Sequence, residues 1–226
     1  MFFVGLSHPK CGTTFTSSLL RSNNLDVGHE RIHLNGIISW MLVAQRQTNP
    51  WGDALGIFHP HHLKFAIARS PLSAMISIMA ENRSTRSFAW RCQVIWDLFQ
   101  IDLLSPLVAP QKPLNMAIMS YVLWYEAILN TNPLIIYRVD HEEDDKLLAE
   151  LTKTVIVRNN NIKRNSRPGQ HYDLSFNPSM LKQVPRYLCL RLAAIAENLG
   201  YPEDAKTILR MAPVYKPIVE QWGMKG

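Results

Sequence analysis

The chain opens on an apolar run, Met1 to Leu6, stopped by Ser7-His8-Pro9. A short, uninterrupted apolar run bounded by a turn signal predicts a buried strand. Thr14 to Arg21 reads as a helix, ended by Ser22-Asn23-Asn24, and residues 30 to 46 read as helical or mixed. Leu63 to Ala68 is a second bounded apolar run and predicts another strand. Ser70-Pro71 then opens a helix, since Ser suits the N-cap and Pro the first helical position. Phe88 to Leu104 and Leu114 to Asn130 carry the apolar period of long helices. The turn signal Asn132-Pro133 precedes a strand candidate, Leu134 to Val139. Residues 141 to 153 read as a charged helix and Thr154 to Val157 as a short strand. Asn159 to Asn177 is polar, with three consecutive Asn and a Pro-Gly pair, and reads as loop. Met180 to Leu199 predicts the final helix, with Gly200 where a C-cap glycine belongs. Strands alternating with helices predict an α/β fold: a single domain over residues 1–226, with a central, mainly parallel sheet flanked by helices.

Composition narrows the class. A chain of 226 residues buries roughly 70–75% of its unfolded surface and needs no staple. Hydrophobic residues make up 47% and charged residues 19%, below the usual quarter, which excludes bulk disorder. The three cysteines, Cys11, Cys92 and Cys189, form no Cys-x-x-Cys pair, so neither a zinc ribbon nor a disulfide scaffold is supported. A reduced, cytoplasmic protein is the expectation. The longest uncharged, mostly apolar stretch, Ile32 to Gln45, lies between Arg31 and Arg46 and is too short to span a bilayer. No charged segment precedes the first apolar run, so the start does not read as a signal peptide. The net charge of +6 points to an anionic ligand but is too small to imply nucleic acid.

The first strand–loop–helix unit locates that anion. In Gly5-Leu6-Ser7-His8-Pro9-Lys10-Cys11-Gly12-Thr13-Thr14-Phe15 a buried strand turns through a glycine into two threonines that open a helix. Helix-start N–H groups and the positive end of the helix dipole face one spot. Gly12 allows close backbone approach, Thr13 and Thr14 add hydroxyl donors, and Lys10 adds a full charge. The nucleoside-triphosphate P-loop, Gly-x4-Gly-Lys-Ser/Thr, is not met: Lys10 precedes Gly12, and the fifth residue after Gly5 is Lys10. Triphosphate chemistry also needs a magnesium carboxylate after a second strand. Here the second strand ends in Arg69, which invites another anion instead. Anion sites at two strand ends suggest a ligand with two separate phosphates.

Pro9-Lys10-Cys11-Gly12-Thr13-Thr14-Phe15 resembles the Pro-Lys-Ser-Gly-Thr-Thr-Trp loop of sulfotransferases that use 3′-phosphoadenosine-5′-phosphosulfate (PAPS). Arg69 and Ser77 match the Arg and the Ser eight positions on that bind the 3′-phosphate in that family. The resemblance is firm over residues 1–20 and 63–80 and implies the P-loop-like sulfotransferase fold. It implies that Lys10 contacts the 5′-phosphosulfate and stabilises the leaving oxygen. Gly12, Thr13 and Thr14 would donate to the 5′-phosphate. Phe15 stands where the cytosolic enzymes stack Trp on adenine; core packing at the helix start is the equal alternative. Cys11 takes the place of the common Ser. A helix N-terminus and Lys10 would lower its pKa, and a small residue that fits is the simpler account. Arg167-Pro168-Gly169 resembles the late Arg-Lys-Gly clamp on the 3′-phosphate, with Arg158, Lys163 and Arg164 in the same basic loop. Gly28-His29-Glu30, with Gly36 and Ser39-Trp40, resembles a segment of small bacterial and phage-type members.

Sulfuryl transfer to a hydroxyl by in-line attack calls for a base. Glu30 is the first candidate, with His29 as neighbour or substitute; the alternative reading of Glu30 is an exposed helix-start carboxylate. His59, within His59-Pro60-His61-His62, is the runner-up; no partner with ligand spacing makes that trio a metal site. No metal is expected. Trp90, Trp96, Trp124 and Tyr125 on the long helices read as core. The product would be 3′-phosphoadenosine-5′-phosphate. The acceptor stays open among glycan, lipid, phenol, small metabolite and peptide tyrosine, and the oligomeric state is open too. A divergent P-loop kinase and a non-catalytic bisphosphate-binding protein are the competing readings.

Overall fold

A computed structural model describes residues 2–44, 46, 48–52, 62–83, 85–105, 112–152 and 174–214. In chain order the elements are β1 (Phe3–Ser7), α1 (Thr13–Ser22), β2 (Val27–His29), β3 (Gly36–Ser39), β4 (Leu63–Ala68), α2 (Pro71–Glu81), α3 (Thr85–Phe99), α4 (Pro113–Leu129), β5 (Ile136–Arg138), α5 (Asp144–Thr152), α6 (Arg186–Asn198) and α7 (Pro202–Met211). Short 3-10 helices cover Met41–Ala44 and Pro178–Gln183. The strands form one five-stranded sheet in the order β2-β3-β1-β4-β5, with every pairing parallel. The architecture is the expected α/β, with helices on both faces.

Every residue of β1 is buried, as a parallel strand covered on both faces requires. Its side chains alternate between two cores. Val4 and Leu6, with Ile37, Ala66 and Ala68, join the larger cluster under α2, α3, α4, α6 and α7. Phe3, with Ile38, Phe65 and Ile67, joins a smaller one against Phe15, Leu19 and Leu20 of α1 and Leu147, Leu148 and Leu151 of α5. Gly36, paired to Phe3, sits at φ 145°, and a Cβ there would lie 2.1 Å from the Phe3 carbonyl oxygen. Only glycine lets β3 dock on β1.

The sequence expectations and the structure part company at several elements, and Trp96, expected in the core, is 44% exposed. Residues 30 to 46 hold a strand, β3, where helical or mixed structure was expected, and β2 precedes it. Both strands are short and contain glycine, so neither shows a readable period. The span Met180 to Leu199 is not one helix: Pro185 separates a 3-10 turn from α6, because proline cannot continue a helical ladder. Nor is it the last helix, since α7 follows the left-handed Gly200 at φ 81°. The predicted strand Thr154 to Val157 and most of the loop Asn159 to Asn177 lie outside the described residues. Among the described residues no helix is long and apolar enough to cross a membrane.

Candidate functional site

In a parallel sheet every strand ends at the same edge. Here that edge collects the loop after β1, Glu30 after β2, Ser39-Trp40 at the end of β3, Arg69 after β4 and Asp140 after β5. The connection from β1 leads to β2 on one side, and that from β4 leads to β5 on the other. The crevice between such diverging connections is where open α/β sheets bind ligands. Lys10 to Thr14 and Arg69 to Ser77 flank it.

The β1 loop is tightly wound. Lys10 is exposed and takes φ 67°, and the Cys11 N–H bonds back to the His8 carbonyl at 3.2 Å. Gly12 is the N-cap of α1, left-handed at φ 104°, and supplies no side-chain cap to the first-turn amides. A Cβ on Gly12 would lie 2.7 Å from Cγ1 of Val139, so the loop is packed onto the end of β5. Thr13 is buried and Thr14 exposed.

Their hydroxyls meet the end of β2. His29 Nε2 lies 3.0 Å from Thr13 Oγ1, 3.3 Å from Thr14 Oγ1 and 3.6 Å from Glu30 Oε1. Glu30 is left-handed at φ 58°, with its N–H bonded to the Ile38 carbonyl at 3.0 Å. Ser39 Oγ and the Trp40 N–H donate to its carboxyl group. Its Oε1 is buried and accepts no hydrogen bond. Burial outweighs those donors and pushes the carboxyl up to about 7. Burial, and then the charge of Arg21, lower His29, so the imidazole is neutral near pH 7. The sequence placed Glu30 near the sheet edge; the structure sets it beside the α1 loop, across His29, and not as an exposed helix-start carboxylate.

On the other flank, Arg69 Nε donates to Ser73 Oγ at 3.2 Å. Ser77 is half-buried, one turn further along α2 on the same face as Ser73. Ser70 caps α2 as expected, its Oγ accepting from the Ser73 N–H at 3.2 Å. Two carboxylates also hold this end. Asp140 Oδ2 accepts from the Ser70 N–H at 2.9 Å, and Asp204 Oδ2 accepts from Ser70 Oγ at 2.6 Å and the Leu72 N–H at 3.1 Å. The tip of α2 is thus filled by the protein's own anions, and among the described residues the Arg69 side chain is the cation turned along this helix.

Two expectations change. Cys11 is fully buried, and burial raises its thiol to about 12, against the lowered value expected from Lys10 and the helix N-terminus. Cys11 is a small residue that fits. Phe15, 9% exposed, belongs to the smaller core cluster with Phe3, Leu19 and Leu20. Core packing is the role visible for that ring. Arg167 and Gly169, like Arg158, Lys163, Arg164, His59 and His61, lie outside the described residues. His62 packs on Phe2, ring centroids 4.5 Å apart.

Sequence reasoning missed how the strand ends are held. His8 is fully buried; its Nδ1 donates to the Pro9 carbonyl at 2.8 Å, so its Nε2, 3.0 Å from Ser120 Oγ, accepts. Trp124 Nε1 donates to the Ser7 carbonyl at 3.0 Å, Tyr125 Oη to Ile67 O at 2.9 Å and Tyr121 Oη to Arg69 O at 2.8 Å. The polar tips of α4 aromatics therefore fix the ends of β1 and β4. Reading Trp124 and Tyr125 as core was right about burial, but the apolar period gives no sign of what their polar atoms bond. Compared with protein-family models, curated proteins and solved structures, the chain matches none.

Proposed function

We propose that the protein transfers a sulfuryl group from PAPS to an acceptor hydroxyl, within a P-loop-like sulfotransferase fold. The observation that carries this reading is the placement of Glu30, with an unpartnered buried oxygen and a carboxyl pushed to about 7, across His29 from the Thr13 and Thr14 hydroxyls. A base near 7 suits removal of a hydroxyl proton at neutral pH. The donor would lie along the sheet edge. Gly12, Thr13 and Thr14 would hold the 5′-phosphate and exposed Lys10 would balance charge on the leaving oxygen. Arg69, with Ser73 and Ser77 on the adjacent face of α2, would bind the 3′-phosphate. A transferring sulfuryl group carries a single negative charge, which Lys10 and backbone N–H groups can match without a metal.

Calorimetry tests the reading directly. 3′-Phosphoadenosine-5′-phosphate should bind without magnesium and more tightly than ATP with magnesium. Arg69→Ala should weaken it roughly 10- to 100-fold, the loss of one charge-assisted hydrogen bond. Preference for magnesium-ATP would overturn the proposal in favour of a kinase. Tight bisphosphate binding with no sulfate transfer to any hydroxyl in a broad panel would leave a binding protein.

A further inference from the structure

His29 Nε2 faces Thr13 Oγ1, Thr14 Oγ1 and Glu30 Oε1, and these partners have different needs. Glu30 Oε1 is buried and lacks a donor; Nε2, at 3.6 Å, is just beyond hydrogen-bond reach. A threonine hydroxyl has one proton and two lone pairs. With the loop empty, either hydroxyl can give its proton to a bare Nε2. With an anion on the loop, both protons point at the anion, and only lone pairs face Nε2. A bare Nε2 would then look onto acceptors alone.

We propose that His29 is a positioning residue that couples occupancy of the α1 loop to the state of Glu30. An anion that takes the Thr13 and Thr14 hydroxyl protons obliges His29 to carry its proton on Nε2. That N–H lies 3.0 and 3.3 Å from the threonine lone pairs and 3.6 Å from Glu30 Oε1, and its positive end beside that oxygen favours the ionised carboxylate. The proton leaves Nδ1 and arrives at Nε2 through solvent, which reaches the imidazole because its side chain is 33% exposed. The ring is neutral before and after the exchange, and no net proton is taken up. Arg21 of α1 disfavours the imidazolium, while β3 and the residue after it contribute the uncharged Ser39 hydroxyl and Trp40 N–H. The carboxyl is thereby held in the ionised form, the one able to accept a proton, only while an anion lies on the loop.

The inference rests on the loop being the anion site of the proposed function, and its test separates the two. An anion acting through space alone would raise the pKa of Glu30; the coupling opposes that rise. Carboxyl carbon NMR of Glu30 is titrated free, with inorganic sulfate and with 3′-phosphoadenosine-5′-phosphate, while Thr13 and Thr14 amide shifts report loop occupancy. In the wild type the bound pKa should not exceed the free one. In His29→Ala the bound pKa should rise by about one unit. His29→Gln, which keeps an N–H donor near Nε2, should suppress that rise. Equal bound values in wild type and His29→Ala, with the loop occupied, would overturn the coupling and leave the function reading standing. Unmoved Thr13 and Thr14 amides with either anion would overturn both.

Discussion

Burial raises the Glu30 carboxyl to about 7 from an ordinary 4.5, so between these values the folded protein holds a proton that the unfolded chain has released. Stability contributed by that proton is present below pH 4.5, falls as pH climbs to 7 and is gone above it. Glu30→Gln should therefore match the wild type near pH 4 and exceed it by up to about 3 kcal/mol at pH 8 in urea unfolding. The identity of Glu30 as a candidate was legible in the sequence. Its buried setting was not, because it depends on Ser39 and Trp40 at the end of a strand too short to announce itself. Cys11, also raised by burial, teaches the same lesson. Local sequence offered only a cation and a helix start, whereas the tertiary fold supplied full burial, which dominates.

Among the elements, the longer ones were found as the right type, although α3, at Thr85–Phe99, begins three residues before the expected Phe88–Leu104 and ends five before it. β4 falls on the predicted Leu63–Ala68, and α4 on Pro113–Leu129 within a residue of expectation. The failures, β2, β3 and the break at Pro185, are elements of few residues or elements cut by one residue. The contribution of α4 was hidden differently. Its apolar period describes burial, whereas its effect on the site runs through Tyr121 and Tyr125 hydroxyls reaching Arg69 O and Ile67 O. Tyr121→Phe and Tyr125→Phe preserve volume and remove these bonds, so each should lower unfolding free energy by about 1 kcal/mol with far-UV circular dichroism unchanged.

At the level of the molecule, the sheet is the shared wall of two cores, and alternate residues of β1 and β4 belong to opposite sides. Neither face can detach without exposing the other, so unfolding should be a single transition. Trp40 and Trp124 report on the larger core, while Leu148 of α5 is 2% exposed in the smaller one. Leu148→Ala should cost about 2–5 kcal/mol. The tryptophan fluorescence midpoint in urea should drop together with the circular dichroism midpoint, although the smaller cluster includes no described tryptophan. The alternation of strands with helices made this layered plan legible. Which helices cover which face was not, because amphipathic patterns mark a buried side without naming its partner.

The cap on α2 has a consequence for how the protein is made. Ser70 is held by Asp140 and by Asp204, and Asp140 also accepts from Tyr201 Oη at 2.6 Å. These partners trail the helix they fasten by 70 and 134 residues. On the ribosome, β1, α1 and β4 emerge long before α7, so the Arg69 side of the crevice is only half fastened, through Asp140, until nearly all of the described chain has been synthesised. A nascent chain stalled before Tyr201 would have its β1–α1 loop built and the start of the helix opposite it held by Asp140 but not yet by Asp204.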